Sequence, residues 1–180
     1  RDLENNHVIA RLNASDVTYA RATAGGLSIN AQTGDIVTTA ALDYDTASSL
    51  DFTVLATDTA GNTASQPVSI TIINLDEADP VITSGAAVTA VDENTAANQV
   101  IYTATATDDG DVSGGVTFSL KEGSDNALSI NTTTGAVTLT ESPDHENQAS
   151  YAFTVVATDA AGNASEQALT LSINDLDESA

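Results

Sequence analysis

Residues Leu27–Glu77 align with Leu128–Glu178 without a gap, at a constant offset of 101 residues, and 23 of the 51 positions are identical. The shared runs are Leu27–Asn30 with Leu128–Asn131, Thr33-Gly34 with Thr134-Gly135, Phe52–Val54 with Phe153–Val155, Ala56–Asp58 with Ala157–Asp159, Ala60–Asn62 with Ala161–Asn163, and Leu75–Glu77 with Leu176–Glu178. Upstream the match continues with gaps: Val8-Ile9 pairs with Val100-Ile101, Asp16 with Asp108, and Val17–Tyr19 with Val116–Phe118. Self-similarity of this kind means two copies of one domain. We place them at residues 1–77 and 78–180. Copy two has Val81–Asn94 ahead of its Gln99–Asp108 stretch, whereas copy one has only Arg1–Asn6 there. Copy one is therefore expected to lack most of its first strand, either because the stretch is cut away or because upstream chain supplies it.

Within each copy the apolar period is two. Phe52, Val54 and Ala56 alternate with Thr53, Leu55 and Thr57, Val68 and Ile70 with Ser69 and Thr71, and Val100, Tyr102, Ala104 and Ala106 with Ile101 and threonines. β-branched Thr, Val and Ile suit a pleated surface. Thr-Gly, Ala-Gly-Asn and Asp-Asp-Gly punctuate the runs with turns. Copy two reads as seven strands near 88–91, 99–107, 115–120, 127–130, 136–140, 150–158 and 167–174. Seven short strands in such a length predict an all-β fold, two tandem seven-stranded antiparallel β-sandwiches, the first short of its first strand.

The chain carries 26 Asp+Glu against 4 Lys+Arg, a formal net charge of −22, and no Cys. Four scattered basic residues make no patch for phosphates, which excludes nucleic-acid partners, and anionic membrane surfaces repel such a chain. No apolar run approaches the ~20 residues of a membrane span, so direct membrane insertion is not expected. The missing cysteines remove disulfides, thiol catalysis and zinc–thiolate sites. With 41% hydrophobic residues the chain can still bury a core. There is neither a signal peptide nor an initiator Met, and the chain is expected to be a fragment of something longer.

The acids are not scattered. Asp43-Tyr44-Asp45 and Asp144-His145-Glu146 precede the last long hairpin of each copy, with one residue between the acids, as an extended backbone requires if two carboxylates are to point one way. Asp108, Asp109 and Asp111 end a strand of copy two, Asp58 and Asp159 end matching strands, and Glu4 and Glu93 stand early in each copy. The linker reads Asn74-Leu75-Asp76-Glu77-Ala78-Asp79-Pro80. In a sandwich with strands running up and down, strand ends gather at two poles, and this parity places Asp108, Asp109, Asp111 and Asp159 at one pole of copy two and Glu4, Asp43 and Asp45 at the facing pole of copy one. Two unit charges 4 Å apart cost about 4 kcal/mol at an effective dielectric of 20. With no Lys or Arg in these clusters, a hard divalent cation is the counter-ion, Ca²⁺ ahead of Mg²⁺.

These residues resemble the cadherin repeat. Asp43-Tyr44-Asp45, with Leu42 before it, and Asp144-His145-Glu146, with Pro143 in place of the Leu, look like that family's L-D-R-E motif. The linker 74–80 looks like a divergent D-x-N-D-N-x-P, Glu93 of Asp92-Glu93-Asn94 resembles the P-E-N glutamate, with Glu4 in that place in copy one, and Ala106–Asp111 resembles A-x-D-x-D. The resemblance implies an interdomain Ca²⁺ site from Glu4, Asp43, Asp45, Asn74, Asp76, Glu77, Asp108, Asp159 and either Asp109 or Asp111. Asn74 stands where the family has Asp, and Leu75 and Ala78 supply backbone carbonyls. It implies the lower half of a second site from Glu93, Asp144, Glu146, Asp175, Asp177 and Glu178, and Asp16 and Asp58 as the upper half of another. Vertebrate strand-swap adhesion uses an N-terminal Trp that this chain lacks, so that mode is not carried over. The Thr/Ala/Asp-rich, Lys-poor texture is similar to the giant repetitive adhesins of bacterial surfaces. The expected function is a calcium-binding extracellular adhesin repeat at the cell surface, with neighbouring repeats of the same chain as partners, and cell-surface proteins or glycans beyond them.

Two other readings compete: a Ca²⁺-dependent carbohydrate-binding module, and a Ca²⁺-independent immunoglobulin-like spacer. The first needs an aromatic platform, and Tyr19, Tyr44, Tyr102 and Tyr151 fall on separate elements, as core or edge residues. His145 reads as a turn filler. The sequons at Asn13, Asn131 and Asn163 are coincidental in a Thr/Ser-rich chain. No enzyme is expected: Gly-x-Ser-x-Gly and His-Glu-x-x-His are missing, and every carboxylate pair has a counterpart in the other copy.

Overall fold

Branched residues alternating with polar ones set the strands, and a computed structural model describes residues 8–11, 16–21, 25–108, 112 and 114–177, with no helix among them. The chain divides into two compact units, Arg1–Leu75 and Asp76–Ala180. The front of copy one, residues 1–7, lies outside the described residues, and with it Glu4 and the expectation of a missing first strand. Asp109, Asp111, Glu178 and the Asn13 sequon lie outside them too.

The first unit contains β1 (Val8–Arg11), β2 (Val17–Arg21), β3 (Leu27–Ile29), β4 (Asp35–Thr38), β5 (Ser49–Asp58) and β6 (Thr63–Thr71). They form two sheets, β1-β4-β3 and β2-β5-β6. Between the sheets Tyr19, Leu27, Ile36, Phe52 and Val54 form a buried cluster. The second unit contains β7 (Val81–Ile82), β8 (Val91–Asp92), β9 (Gln99–Thr103), β10 (Ala106–Thr107), β11 (Thr117–Leu120), β12 (Leu128–Ile130), β13 (Ala136–Leu139), β14 (Ser150–Thr158) and β15 (Ala164–Asn174). Its sheets are β12-β13-β9 and β11-β14-β15-β8, with β10-β7 as a two-stranded piece. The sheet order of copy one repeats in copy two at matching positions. Pairing is antiparallel except where β15 runs parallel to β8, through Ile173 with Val91 and Asn174 with Asp92.

Alternation fixes the inward faces. On β14, Tyr151, Phe153, Val155 and Ala157 are all buried while Ala152 is exposed, and on β15 Leu169, Leu171 and Ile173 are the buried ones. Burying each of Phe153, Val155, Leu169, Leu171 and Ile173 contributes roughly 1.5–3 kcal/mol. Tyr102 meets Phe153 edge-on, ring centroids 6.2 Å apart.

Three sequence expectations change here. The run 99–107 is not one strand: β9 pairs with β13 and β10 with β7. Between them the Ala104 N–H donates to the Gly135 carbonyl at 2.9 Å. The strict alternation expected from Val100 to Ala106 also breaks. Tyr102 faces Val137 and Val100 faces Thr138, so Ile101 is an extra residue in β9. A bulge of this kind shifts the phase of the side chains by one. Val100 is 60% exposed as a result, while Ile101 packs on the core. Copy one has the same irregularity, between Val8 and Ala10 of β1. The strand expected near 88–91 is cut back to β8 (Val91–Asp92), and β7 (Val81–Ile82) lies ahead of it, outside the expected range.

Candidate metal centre

Three segments of the second unit converge at one pole. Its first residue is Asp76, β10 delivers Asp108 just after Thr107, and β14 delivers Asp159 just after Thr158. One carboxylate oxygen from each lies within 4.8 Å of the others.

Asp159 is 6% exposed and shaped by the turn that follows it. Its Oδ1 accepts the N–H groups of Gly162 at 2.6 Å and Asn163 at 2.9 Å, and its Oδ2 accepts the Asn163 side-chain amide at 2.8 Å. Burial pushes this carboxyl up, but the Asn163 amide and the N–H groups of Gly162, Asn163 and Ala161 outweigh it, so its pKa lies below the ordinary 3.8. Charge is thus held on the oxygen pair by donors directed at it. The Asn163 amide also donates to the Asp76 carbonyl at 3.0 Å, tying the start of the unit to this turn. Asp76 Oδ1 accepts the Ala78 N–H at 3.2 Å. Its Oδ2 is buried and has no hydrogen-bond partner among the described residues. A buried carboxylate oxygen left so is costly, and a cation is what such an oxygen fits. All-oxygen donors of this kind suit a hard divalent cation, Ca²⁺ or Mg²⁺.

The other pole of the second unit is organised by Glu93, which is 2% exposed. Its Oε2 accepts the His145 N–H at 2.9 Å and its Oε1 the Leu176 N–H at 2.5 Å. The Leu176 and His145 N–H groups, in that order, hold the Glu93 pKa below the ordinary 4.5 against the cost of burial. Glu93, Asp144 and Glu146 bring one oxygen each within 4.8 Å of one another. Asp175 meets Glu146 and His145 rather than that trio, and Asp177 is exposed. The lower set read from the sequence is therefore two overlapping groups that share Glu146.

In the first unit Asp43 and Asp45 are exposed and Asn74 half-buried. Asp43 Oδ2 accepts the Thr46 hydroxyl at 2.8 Å and its Oδ1 the Asp45 N–H at 2.9 Å. The Thr46 hydroxyl is the main cause of a lowered Asp43 pKa. Among the described residues of this unit no three carboxylates converge. Glu77, in the second unit, is exposed. Asp58 repeats the Asp159 turn, accepting the N–H groups of Ala60 at 2.9 Å and Asn62 at 2.8 Å and the Asn62 side-chain amide at 2.8 Å.

Two residues that matter here were read otherwise in the sequence. Asn163 was part of a coincidental sequon and a turn, yet its amide fixes Asp159 and Asp76. The signal was available in the repeat, which keeps Asn62 and Asn163 at matched positions. His145 was a turn filler, yet it stands among Glu146 and Asp175. Of the tyrosines, Tyr19 and Tyr151 are buried and Tyr102 half-buried, and Tyr44 alone is exposed, at 38%.

Residues 87–174 match the cadherin domain family. The chain is 35% identical over 155 residues to the cadherin EGF LAG seven-pass G-type receptor fmi-1 of Caenorhabditis elegans, covering 84% of this chain and 6% of that protein. It is 30% identical over 133 residues to Cadherin-23 of Homo sapiens, covering 72% of this chain and 4% of that protein. The chain thus spans a small fraction of the length of these relatives. Two solved structures share the fold: mouse Cadherin-23 EC22-24, with a TM-score of 0.61 and 23% identity over 99% of this chain and 62% of that one, and human Protocadherin-24 EC1-2, with a TM-score of 0.68 and 20% identity over 97% and 91%. The chain is therefore a pair of cadherin-like β-sandwich repeats, the second of them matched by the cadherin domain family.

Proposed function

We propose that this chain is a calcium-binding, non-catalytic segment of an extracellular adhesive protein, whose acids hold Ca²⁺ at the junctions between repeats. The observation that carries this is the convergence of Asp76, Asp108 and Asp159 around a buried Asp76 oxygen with no hydrogen-bond partner among the described residues. Ca²⁺ would supply two positive charges where Lys and Arg supply none. The protein's own groups do the rest: Asn163 and the N–H groups of the 159–163 turn keep Asp159 charged and aimed, and the Asn163 amide holds Asp76 beside it. Glu4, Asp43, Asp45, Asn74, Glu77 and one of Asp109 and Asp111 complete this site in our reading. Glu93, Asp144 and Glu146, with Asp175, Asp177 and Glu178 around them, make the half-site for a following repeat.

The bound ion then fixes the angle between repeats, and its loss leaves carboxylates that repel and a linker that flexes. Extracellular modules bind Ca²⁺ at about 10⁻⁴–10⁻³ M, which suits a surface bathed in millimolar Ca²⁺. The partners are the neighbouring repeats and, beyond them, cell-surface proteins or glycans. The relatives named above are animal proteins, and the composition leads us to a bacterial surface adhesin built on the same repeat.

The test is Ca²⁺ calorimetry with solution scattering in EDTA and in millimolar Ca²⁺. Saturable binding together with a stiffer, more extended profile in Ca²⁺ is expected. Identical profiles in both conditions, with no heat of binding, would leave an immunoglobulin-like spacer as the better reading.

A further inference from the structure

The Ca²⁺ reading makes no use of the imidazole at the Glu93 pole. His145 Nδ1 stands 3.8 Å from Glu146 Oε1 and 3.9 Å from Asp175 Oδ2. One donor atom from each of the three residues lies within 4.8 Å of the others. The His145 side chain is 31% exposed and each acid 63%, so the set is open to solvent on one side and backed by protein on the other. The donors come from two separate segments, the turn between β13 and β14 and the residues just after β15. Glu93 joins these segments, because its buried carboxylate accepts the N–H of His145 and the N–H of Leu176. The donors are thereby held on backbone that a buried group positions, as a preorganised site requires.

Glu146 and Asp175 also belong to the Ca²⁺ half-site proposed above, so a second metal here competes with Ca²⁺ for them, and the imidazole is what sets this group apart. Ca²⁺ takes oxygen ligands, whereas imidazole suits Zn²⁺ and related transition metals. Tetrahedral Zn²⁺ with ligands at 2.0–2.2 Å separates its donors by about 3.3–3.6 Å. The two His145 contacts, at 3.8 and 3.9 Å, require closure of only a few tenths of an ångström, and the Glu146 and Asp175 oxygens, within 4.8 Å of each other, are on partly exposed side chains that can rotate together. Copy one supplies an internal comparison. At the same offset it has Tyr44, Asp45 and Asn74, so the imidazole and the second carboxylate occur together in copy two alone, and the acid common to both copies is the one in the shared acidic motif.

We propose that His145, Glu146 and Asp175 form a site for a borderline-soft divalent metal, Zn²⁺, with water completing its shell. The proposal does not depend on Ca²⁺ binding at the other pole. The probe is Zn²⁺ added to the metal-stripped chain, followed by calorimetry and by the imidazole resonances of His145, with Co²⁺ absorption reporting the geometry. Expected are saturable binding, a shift of the His145 resonances, and a loss of at least about tenfold in Zn²⁺ affinity in His145→Gln. His145→Tyr, which restores the copy-one residue, is expected to show the same loss, and Asp175→Asn a smaller one. Ca²⁺ binding in His145→Gln is expected to match wild type. Zn²⁺ affinity unchanged in both His145 variants, unmoved His145 resonances in the wild type, or no Zn²⁺ heat at micromolar concentrations would each overturn the site while leaving the Ca²⁺ reading where it stands.

Discussion

Asp58 and Asp159 end matched strands and close matched turns, each accepting two backbone N–H groups and one asparagine amide. For Asp58 the Asn62 side-chain amide is the largest cause of a pKa below the ordinary 3.8, with its backbone N–H next and burial opposing. The sign follows from linkage: a carboxyl whose folded pKa is depressed stabilises the fold above its unfolded value, and that contribution is lost as pH falls through the folded value. In EDTA, the urea midpoint of the wild-type chain should therefore fall as the pH drops below about 3.8, and Asp58→Asn should flatten part of that fall. An Asp58→Asn profile that tracks wild type would show the turn to be indifferent to the charge. The same reasoning makes Asn163 a positioning residue, since its amide serves Asp159 and Asp76 at once. Asn163→Ala is expected to weaken Ca²⁺ binding about tenfold, read by calorimetry, with the far-UV spectrum unchanged. The carboxylates were legible in the sequence because repetition singles out acids at matched positions. The repeat marks Asn163 as well, but not its role, and it does not mark His145, because an amide in an Ala-Gly-Asn turn and an imidazole between two acids each have an ordinary local explanation. Only the approach of distant segments, Asp76 in one case and Asp175 in the other, reveals what they touch.

The strands themselves were legible from alternation, and β14 and β15 follow it along their whole length. Alternation failed where the backbone gains a residue. The bulge at Ile101 turns Val100 outward, and no side-chain pattern announces it, because both residues are aliphatic and either phase is apolar. This ordering can be measured. Val100→Ala should change stability by no more than about 0.5 kcal/mol, while Ile101→Ala should cost about 2 kcal/mol, the low end for a partly buried isoleucine. Urea titrations of the two variants decide it, and a larger cost at Val100 would contradict the bulge. The break between β9 and β10 has a similar local cause. Gly135 has φ +68, and a Cβ added there would lie 2.2 Å from the Ala104 carbonyl oxygen. Gly135→Ala should cost about 1–2 kcal/mol from backbone conformation alone, and more once Ala104 is displaced. Since β9 and β10 belong to different sheet pieces on either side of Ala104, the displacement should reach Asp108 beyond β10. Lowered Ca²⁺ affinity in a folded Gly135→Ala chain is therefore the expected companion of its lower melting temperature.

For the molecule as a whole the formal charge of −22 has two possible consequences, and they separate cleanly. If the acids act as diffuse charge, any salt that screens them will stabilise the fold, because the Debye length falls from about 10 Å at 0.1 M to about 3 Å at 1 M. If they act as sites, the stabilisation will saturate with one ion and ignore the other. The convergence of Asp76, Asp108 and Asp159 within 4.8 Å argues for sites, since charges that close are partly beyond the reach of mobile ions. Stabilisation by a ligand that binds only the folded state grows as the logarithm of its concentration over the dissociation constant, about 1.4 kcal/mol at a tenfold excess. Melting curves in EDTA should thus rise modestly from 0.1 to 1 M NaCl. In 1 M NaCl, adding millimolar Ca²⁺ should raise the melting temperature again, and Asp76→Asn should remove that second rise while keeping the first. Because Asp76→Asn also removes one of three crowded charges, the variant in EDTA should melt no lower than wild type. A Ca²⁺ effect that NaCl reproduces in full, or one that survives Asp76→Asn, would return the acids to bulk charge and take the metal centre with them.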